Sequence, residues 1–157
     1  MYVMIEGSKR AVGVGASIAR EMGAKPKVIE KGDKILHHIC CVIGSNYVTC
    51  LMGIVEELGK KIRINGFNKR SFLSIYAPLV KQTLKNLEKY GPAESLTGPI
   101  ERGDTETIRM HVMELGKKAP EFSKIYKALG RETANLANRK GSLGSVEFEG
   151  LVKLLGY

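Results

Sequence analysis

KILHHICCVIGSNYVTCLMGIV, residues 34–55, decides how this chain is read. From Ile39 to Val55 it carries no charged residue, and its apolar side chains fall on every side of a helical projection. A helix apolar all round is a buried helix, either a membrane span or the axis of an all-helical domain. A span needs ~20 apolar residues, whereas this run is shorter and contains Ser45, Asn46, Thr49, Gly44 and Gly53. The expectation is a mainly α fold, a multi-helix bundle around this buried central helix, with no membrane association. The polar groups of the helix, Lys34, His38, Ser45 and Asn46, are where chemistry is expected.

Upstream, Asp33 is placed to cap the helix, which should run to about Leu58. Met1 to Glu6 (MYVMIE) reads as a short strand, Gly7 as a breaker and Ser8 as a helix N-cap. Ala11, Val14, Ile18, Ala19 and Met22 then recur at helical spacing, and Gly23 ends that helix. Lys27 to Glu30, after Pro26, reads as a second strand, which gives a β-α-β opening. Two short strands are too little sheet to be stable alone, so they are expected to pair with each other and with a second chain. Gly13-Val14-Gly15 invites comparison with a dinucleotide-binding fingerprint, G-x-G-x-x-G on the turn between strand and helix. Here the glycines fall about a turn inside the helix, and the third glycine position is Ile18. They read as packing glycines, and no cofactor-binding residue is expected in this chain.

Downstream, Gly59 to Asn68 reads as a polar connection. The next helix, about Lys69 to Tyr90, carries Phe72, Ile75, Tyr76, Leu79, Val80, Leu84 and Leu87 on one stripe. Pro78 should kink it and Gly91-Pro92 should stop it. GPAESLTGPIERGD, residues 91–104, is too rich in glycine and proline for a continuous helix. Asp104 can cap a helix bearing Ile108, His111, Val112 and Leu115, with His111 read as a core residue. Pro120 suits the first turn of another helix, with Phe122, Ile125, Tyr126, Leu129, Thr133 and Leu136 facing inward. Gly141 and Gly144 precede a short final helix with Phe148, Leu151, Val152 and Leu155.

A chain of 157 residues is one domain by prior and can bury a real core. The formal charge of +9 raises nucleic acid as a partner, but the basic residues are scattered, with no arginine-rich run and no base-stacking aromatic motif. That argues against nucleic acid and for a solvated basic surface or attraction for a small anion. Cys40, Cys41 and Cys50 lack metal-type or Cys-x-x-Cys spacing and read as buried, reduced thiols. No metal site is expected. MYVMIEGSKR has no secretion-signal pattern, so a cytoplasmic location is expected.

Three stretches together carry a family resemblance: VMIEG at the start, K-I-L-H-H-x6-S-N-Y from Lys34 to Tyr47, and GPAESLTGPIERGDTETIRMH from Gly91 to His111. They resemble the C-terminal domain of a family of two-domain Rossmann-like proteins described as NADP-dependent oxidoreductases (domain of unknown function 2520). The resemblance covers the chain to about Leu136. It implies a helical domain similar to the C-terminal domains of pyrroline-5-carboxylate reductase, ketopantoate reductase and 6-phosphogluconate dehydrogenase. In those relatives a Rossmann domain holds the nicotinamide cofactor, while the helical domain closes the substrate cleft and builds the dimer. Here the Rossmann half with its glycine fingerprint is missing. Residues 1–31 look like the β-α-β tail of that half, and residues 32–157 like the helical substrate and dimerisation domain. The family's Tyr-His pair is His37-His38 in this chain, which leaves the first position without its usual group.

The resemblance also implies site residues. Lys34 and His38 are four apart and share a helix face, a face that Cys41 and Ser45 continue. By analogy with the Lys-x-x-x-Asn pair of the ketopantoate and hydroxyacid reductases, Lys34 would be the general acid to the substrate oxygen and His38 would share the proton. Histidine suits that work because it exchanges protons near neutral pH. The structural alternative is a solvated Lys34 and a packing His38. Ser45 and Asn46 would position substrate, or else bond the Gly/Pro-rich loop as buried polar groups must. In that loop Thr97 and Arg102 are candidates for a substrate or cofactor anion, or for parts of a plain connector. The complete protein would use NADP to reduce or oxidise a small carbonyl or imine. This chain alone is expected to be inactive, to form a homodimer, and to work with a separate Rossmann domain. The alternative is a non-enzymatic helical dimer serving as a structural or interaction module.

Overall fold

The computed structural model describes residues 1–64 and 72–156. The fold is mainly α, as expected, with a two-stranded parallel sheet at the N-terminus. Its elements are β1 (Tyr2–Ile5), α1 (Lys9–Glu21), β2 (Lys25–Val28), α2 (Lys34–Lys60), α3 (Leu73–Ser95), α4 (Thr105–Lys118), α5 (Ser123–Lys140) and α6 (Ser145–Leu155). A 3-10 turn, Pro120–Phe122, joins α4 to α5 with its proline at the start, where a missing N–H costs nothing. The polar connector expected from Gly59 to Asn68, and the start of the next helix expected at Lys69, lie partly outside the described residues. By its contacts the chain divides into two units, Met1–Met52 and Gly53–Tyr157.

In the first unit β1 and β2 pair in parallel, Val3 opposite Pro26 and Met4 opposite Lys27. Strand β2 therefore starts before Pro26 rather than after it, which a proline tolerates on a strand with an open edge. Ser8 caps α1 by accepting a bond from the Ala11 N–H at 3.3 Å. Gly23, at φ 73°, turns the chain out of the helix. Small residues set how closely α1 approaches the strands. Ala19 and Ala24 are buried, and a Cβ on Gly15 would lie 3.3 Å from Ile5 Cγ2. Gly15 thus serves helix–strand packing, whereas the space beside Gly13 is open.

Helix α2 is continuous over 27 residues, about 40 Å at the rise of an α-helix. The helical reading of the opening stretch holds; its burial does not. Ile35, Leu36, Ile39, Ile43 and Tyr47 are 48–69% exposed, and none of the helix's most apolar window is buried within the chain. Cys40, Cys41 and Cys50 are correspondingly exposed, against the expectation of buried thiols. Hydropathy reports that a surface shuns water; it does not report whether the same chain supplies the cover. Asp33 precedes the helix but makes no capping bond with its side chain. From Val42 to Tyr47 the helix widens into a π-helical segment. Gly44, Ser45 and Asn46, three weak helix formers, lie at its centre, and the Thr49 hydroxyl donates to the Ser45 carbonyl at 3.1 Å.

In the second unit the last residues of α2 are tied in. Phe72 is fully buried against Gly59, and the Leu73 N–H donates to Glu56 Oε2 at 2.7 Å. Helix α3 is interrupted at Gly91 (φ 77°, ψ 172°), as the Gly-Pro pair foretold, and resumes for one turn to Ser95. No residue of α3 is buried, and Leu79 and Leu84 of the expected inward stripe are more than half exposed. The core lies among α4, α5 and α6, on Ile108, Ala134, Leu151 and Leu155. Helix α5 meets it through the buried Gly130, Ala134 and Ala137 and through the partly buried Tyr126; of the larger residues expected to face inward, Leu129 is instead 45% exposed. A Cβ on Gly130 would come within 2.8 Å of Leu155 Cδ2, so the small face lets α6 approach.

Candidate functional site

The residues singled out on sequence fall in two places. Lys34, His38, Ser45 and Asn46 are all exposed on α2. Lys34, His38 and Cys41 keep the spacing of one α-helical face, and Ser45 lies beyond them in the π-helical segment that starts at Val42. The nearer polar contact on this helix is between His37 Nε2 and Cys41 Sγ, 3.7 Å apart. A π-helical segment is uncommon and recurs at functional positions, and this one contains both residues proposed to position substrate.

Thr97 and Arg102 lie in the second unit, exposed on the loop between α3 and α4. That loop spends much of its backbone on itself. The N–H groups of Arg102, Gly103 and Asp104 donate to the carbonyls of Gly98, Ile100 and Pro99. Its side chains anchor it to the end of α5: Lys140 donates to Glu101 Oε1 at 2.9 Å and to the Leu96 carbonyl at 3.3 Å, and the Ser142 hydroxyl donates to Glu101 at 2.9 Å. The Lys140 bond, with that from Ser142, holds the Glu101 carboxyl below the ordinary carboxylate range. Asp104 caps α4 as expected, accepting from the Thr107 hydroxyl at 2.7 Å and its N–H at 2.9 Å, which lowers its own pKa.

A cavity of about 970 Å³ opens within the second unit, beside the end of α2, helix α4 and the start of α5. Pockets for small ligands run to ~300–1,000 Å³, so its size is ample. Leu58, Ile62, Leu115 and Ala119 give it apolar walls. Lys61, Arg63 and Lys118 bring three cations against one carboxylate, Glu114. Lys118 is paired with Glu114, whose carboxyl it holds below the ordinary range, and Lys61 stands 3.7 Å from Glu121. Arg63 has no ion-pair partner among the described residues. His111 and Tyr126 complete the lining, with His111 Nδ1 2.8 Å from the Tyr126 hydroxyl and the rings edge to face at 80°.

His111 is therefore exposed at a cavity and not a core residue. Partial burial raises the Tyr126 pKa, which keeps the phenol protonated. The pair was legible in principle. His111 lies eight residues before Ala119 and Tyr126 six after Pro120, so a short connection there folds the two helices back side by side. None of Lys34, His38, Ser45, Asn46, Thr97 and Arg102 lines this cavity. No group of three or more metal-ligating side chains forms among the described residues.

No curated protein and no solved structure matches the chain. A family of proteins does: the one described as Domain of unknown function (DUF2520) matches residues 1–133, most of the sequence and all of β1 to α4. The chain that carries this exposed helix and this cavity belongs to that family.

Proposed function

We propose that this chain is the substrate-binding and dimerisation domain of an NADP-dependent oxidoreductase whose cofactor would be held by a Rossmann domain outside these residues. Lys34 and His38 would deliver and share a proton at the substrate oxygen, and Ser45, Asn46, Thr97 and Arg102 would hold the substrate. The single observation that carries the reading is α2, a helix of 27 residues whose most apolar stretch is left uncovered by the described residues of its own chain. Such a surface requires a cover. A stable interface engages about 20–30 residues a side, a scale that this helix approaches by itself. A second copy fits better than lipid, because Ser45 and Asn46 sit near the middle of the helix, where a bilayer is least tolerant of polar groups. The family resemblance supplies the oxidoreductase part of the reading and the NADP.

A second reading, a non-enzymatic helical dimer serving as a structural module, draws on the same helix and on the exposure of Lys34 and His38. Light scattering at micromolar concentration tests the part common to both. A dimer that Ile43→Glu converts to monomer supports them; a monomeric wild type, or one found in the membrane fraction, overturns both. Mixing the chain with a separately made Rossmann domain then divides them. NADPH oxidation that disappears in Lys34→Ala supports the enzyme, and an inert mixture supports the module.

A further inference from the structure

We propose that the cavity between α4, α5 and the end of α2 is a binding site for a small amphipathic carboxylic acid, a monoanion with an apolar body. Nothing in this inference depends on the oxidoreductase reading, since none of the residues assigned to that chemistry lines the cavity.

The charge state of the ligand follows from which cations are already engaged. Lys118 is held by Glu114 and Lys61 faces Glu121, which leaves Arg63 as the charge of the lining with no ion-pair partner among the described residues. One unmatched cation suits one negative charge. A dianion such as inorganic phosphate would meet Glu114 as well, with no second cation free to offset it. The planar fork of arginine matches the two oxygens of a carboxylate, which a lysine ammonium does not.

The hydrogen bonding of the ligand follows from the His111–Tyr126 pair. A neutral imidazole and a phenol hold two N–H or O–H donors between them, and their mutual bond, at 2.8 Å, uses one. If Tyr126 donates to Nδ1, the Nε2–H is left over; if Nδ1–H donates, the tyrosine hydroxyl keeps its own proton to give. Either way one donor remains beside the cavity for an acceptor oxygen. The raised pKa of Tyr126 keeps its share of that inventory protonated.

The body of the ligand follows from the walls. Leu58, Ile62 and Leu115 are partly or largely open and Ala119 is buried beside the cavity, so an aromatic or branched group would cover apolar surface that the described residues leave to water. That burial supplies affinity, while Arg63 and the His–Tyr donor select the acid.

The test uses the full chain and 4-phenylbutyrate, followed by amide NMR and calorimetry, with 4-phenylbutanol as the uncharged analogue and inorganic phosphate as the bare anion. Saturable binding of 4-phenylbutyrate is expected, with shifts centred on His111 and Leu115, and affinity at least roughly tenfold above that of the alcohol, as one charged hydrogen bond allows. Arg63 is exposed, so Arg63→Ala should leave the fold intact; it is expected to bring the acid down to the affinity of the alcohol. Tyr126→Phe should weaken the acid more than the alcohol. Equal affinity for acid and alcohol, shifts confined to α2, tighter binding of phosphate, no binding at all, or an unchanged preference in Arg63→Ala would each overturn the proposal. The oligomeric state of these variants is expected to match wild type, so a failure here is distinguishable from a failure of the dimer reading.

Discussion

A single missing methyl group fixes how the end of α2 packs within the second unit. Gly59 is buried, and a Cβ placed on it would lie 2.6 Å from Phe72 Cβ and 2.7 Å from Cγ. Phe72 is itself fully enclosed and adjoins Leu73, whose N–H is bound by Glu56, so it has little room to retreat. Better intrinsic helix propensity favours alanine at position 59 by about 1 kcal/mol, but overpacking against a confined ring costs about 1–3 kcal/mol. The clash should win. Gly59→Ala is expected to lower the denaturation midpoint, by a net loss of up to about 2 kcal/mol in urea titrations. A stabilised variant would mean that the Phe72 ring yields freely.

At the scale of elements the two glycines of α1 make opposite predictions. Gly13 has no atom within 4 Å of where a Cβ would sit, and Gly15 faces Ile5. Gly13→Ala should therefore stabilise the protein by roughly 0.5–1 kcal/mol, the usual gain in an exposed helix interior, while Gly15→Ala gains less. Circular dichroism melts would show it, and a loss in Gly13→Ala would point to a close approach that this chain does not itself provide. These elements also mark what the sequence could tell. Helix starts at Ser8 and Asp104 and the break at Gly91 were legible, because capping and positive-φ positions are local chemistry. So was the helix-interior position of Gly13 and Gly15. The buried faces were legible on α4 and α6, where Ile108, Leu151 and Leu155 form the core as expected, but not on α5. On α5 the large residues Leu129 and Thr133 were expected inside, and the structure buries Gly130, Ala134 and Ala137 instead. Periodicity locates an apolar stripe, but the partner helix α6 decides which part of it is approached. The His111–Tyr126 pair was missed for the same reason, since each residue lay on an apolar stripe and only their juxtaposition gives them a role.

At the scale of the whole molecule, the hydropathy of α2 marks a surface that the described residues leave open. If a second copy of the chain covers it, as proposed, the cysteines of that helix can report on it. Cys40, Cys41 and Cys50 are exposed in the single chain, and Cys41 lies 3.7 Å from the His37 ring, so Cys40 and Cys50 are the plainer reporters. In dilute solution their thiols should react quickly with a disulfide reagent. As protein concentration rises, mass action fills the dimer, and the reaction should slow, because a thiol must be reached by solvent to be attacked. Ile43→Glu places a charge on the same helix and should keep both thiols fast at every concentration. Protection that follows added lipid vesicles instead of protein concentration would assign the cover to a membrane. Rates independent of both would leave α2 bare and remove the ground for dimerisation.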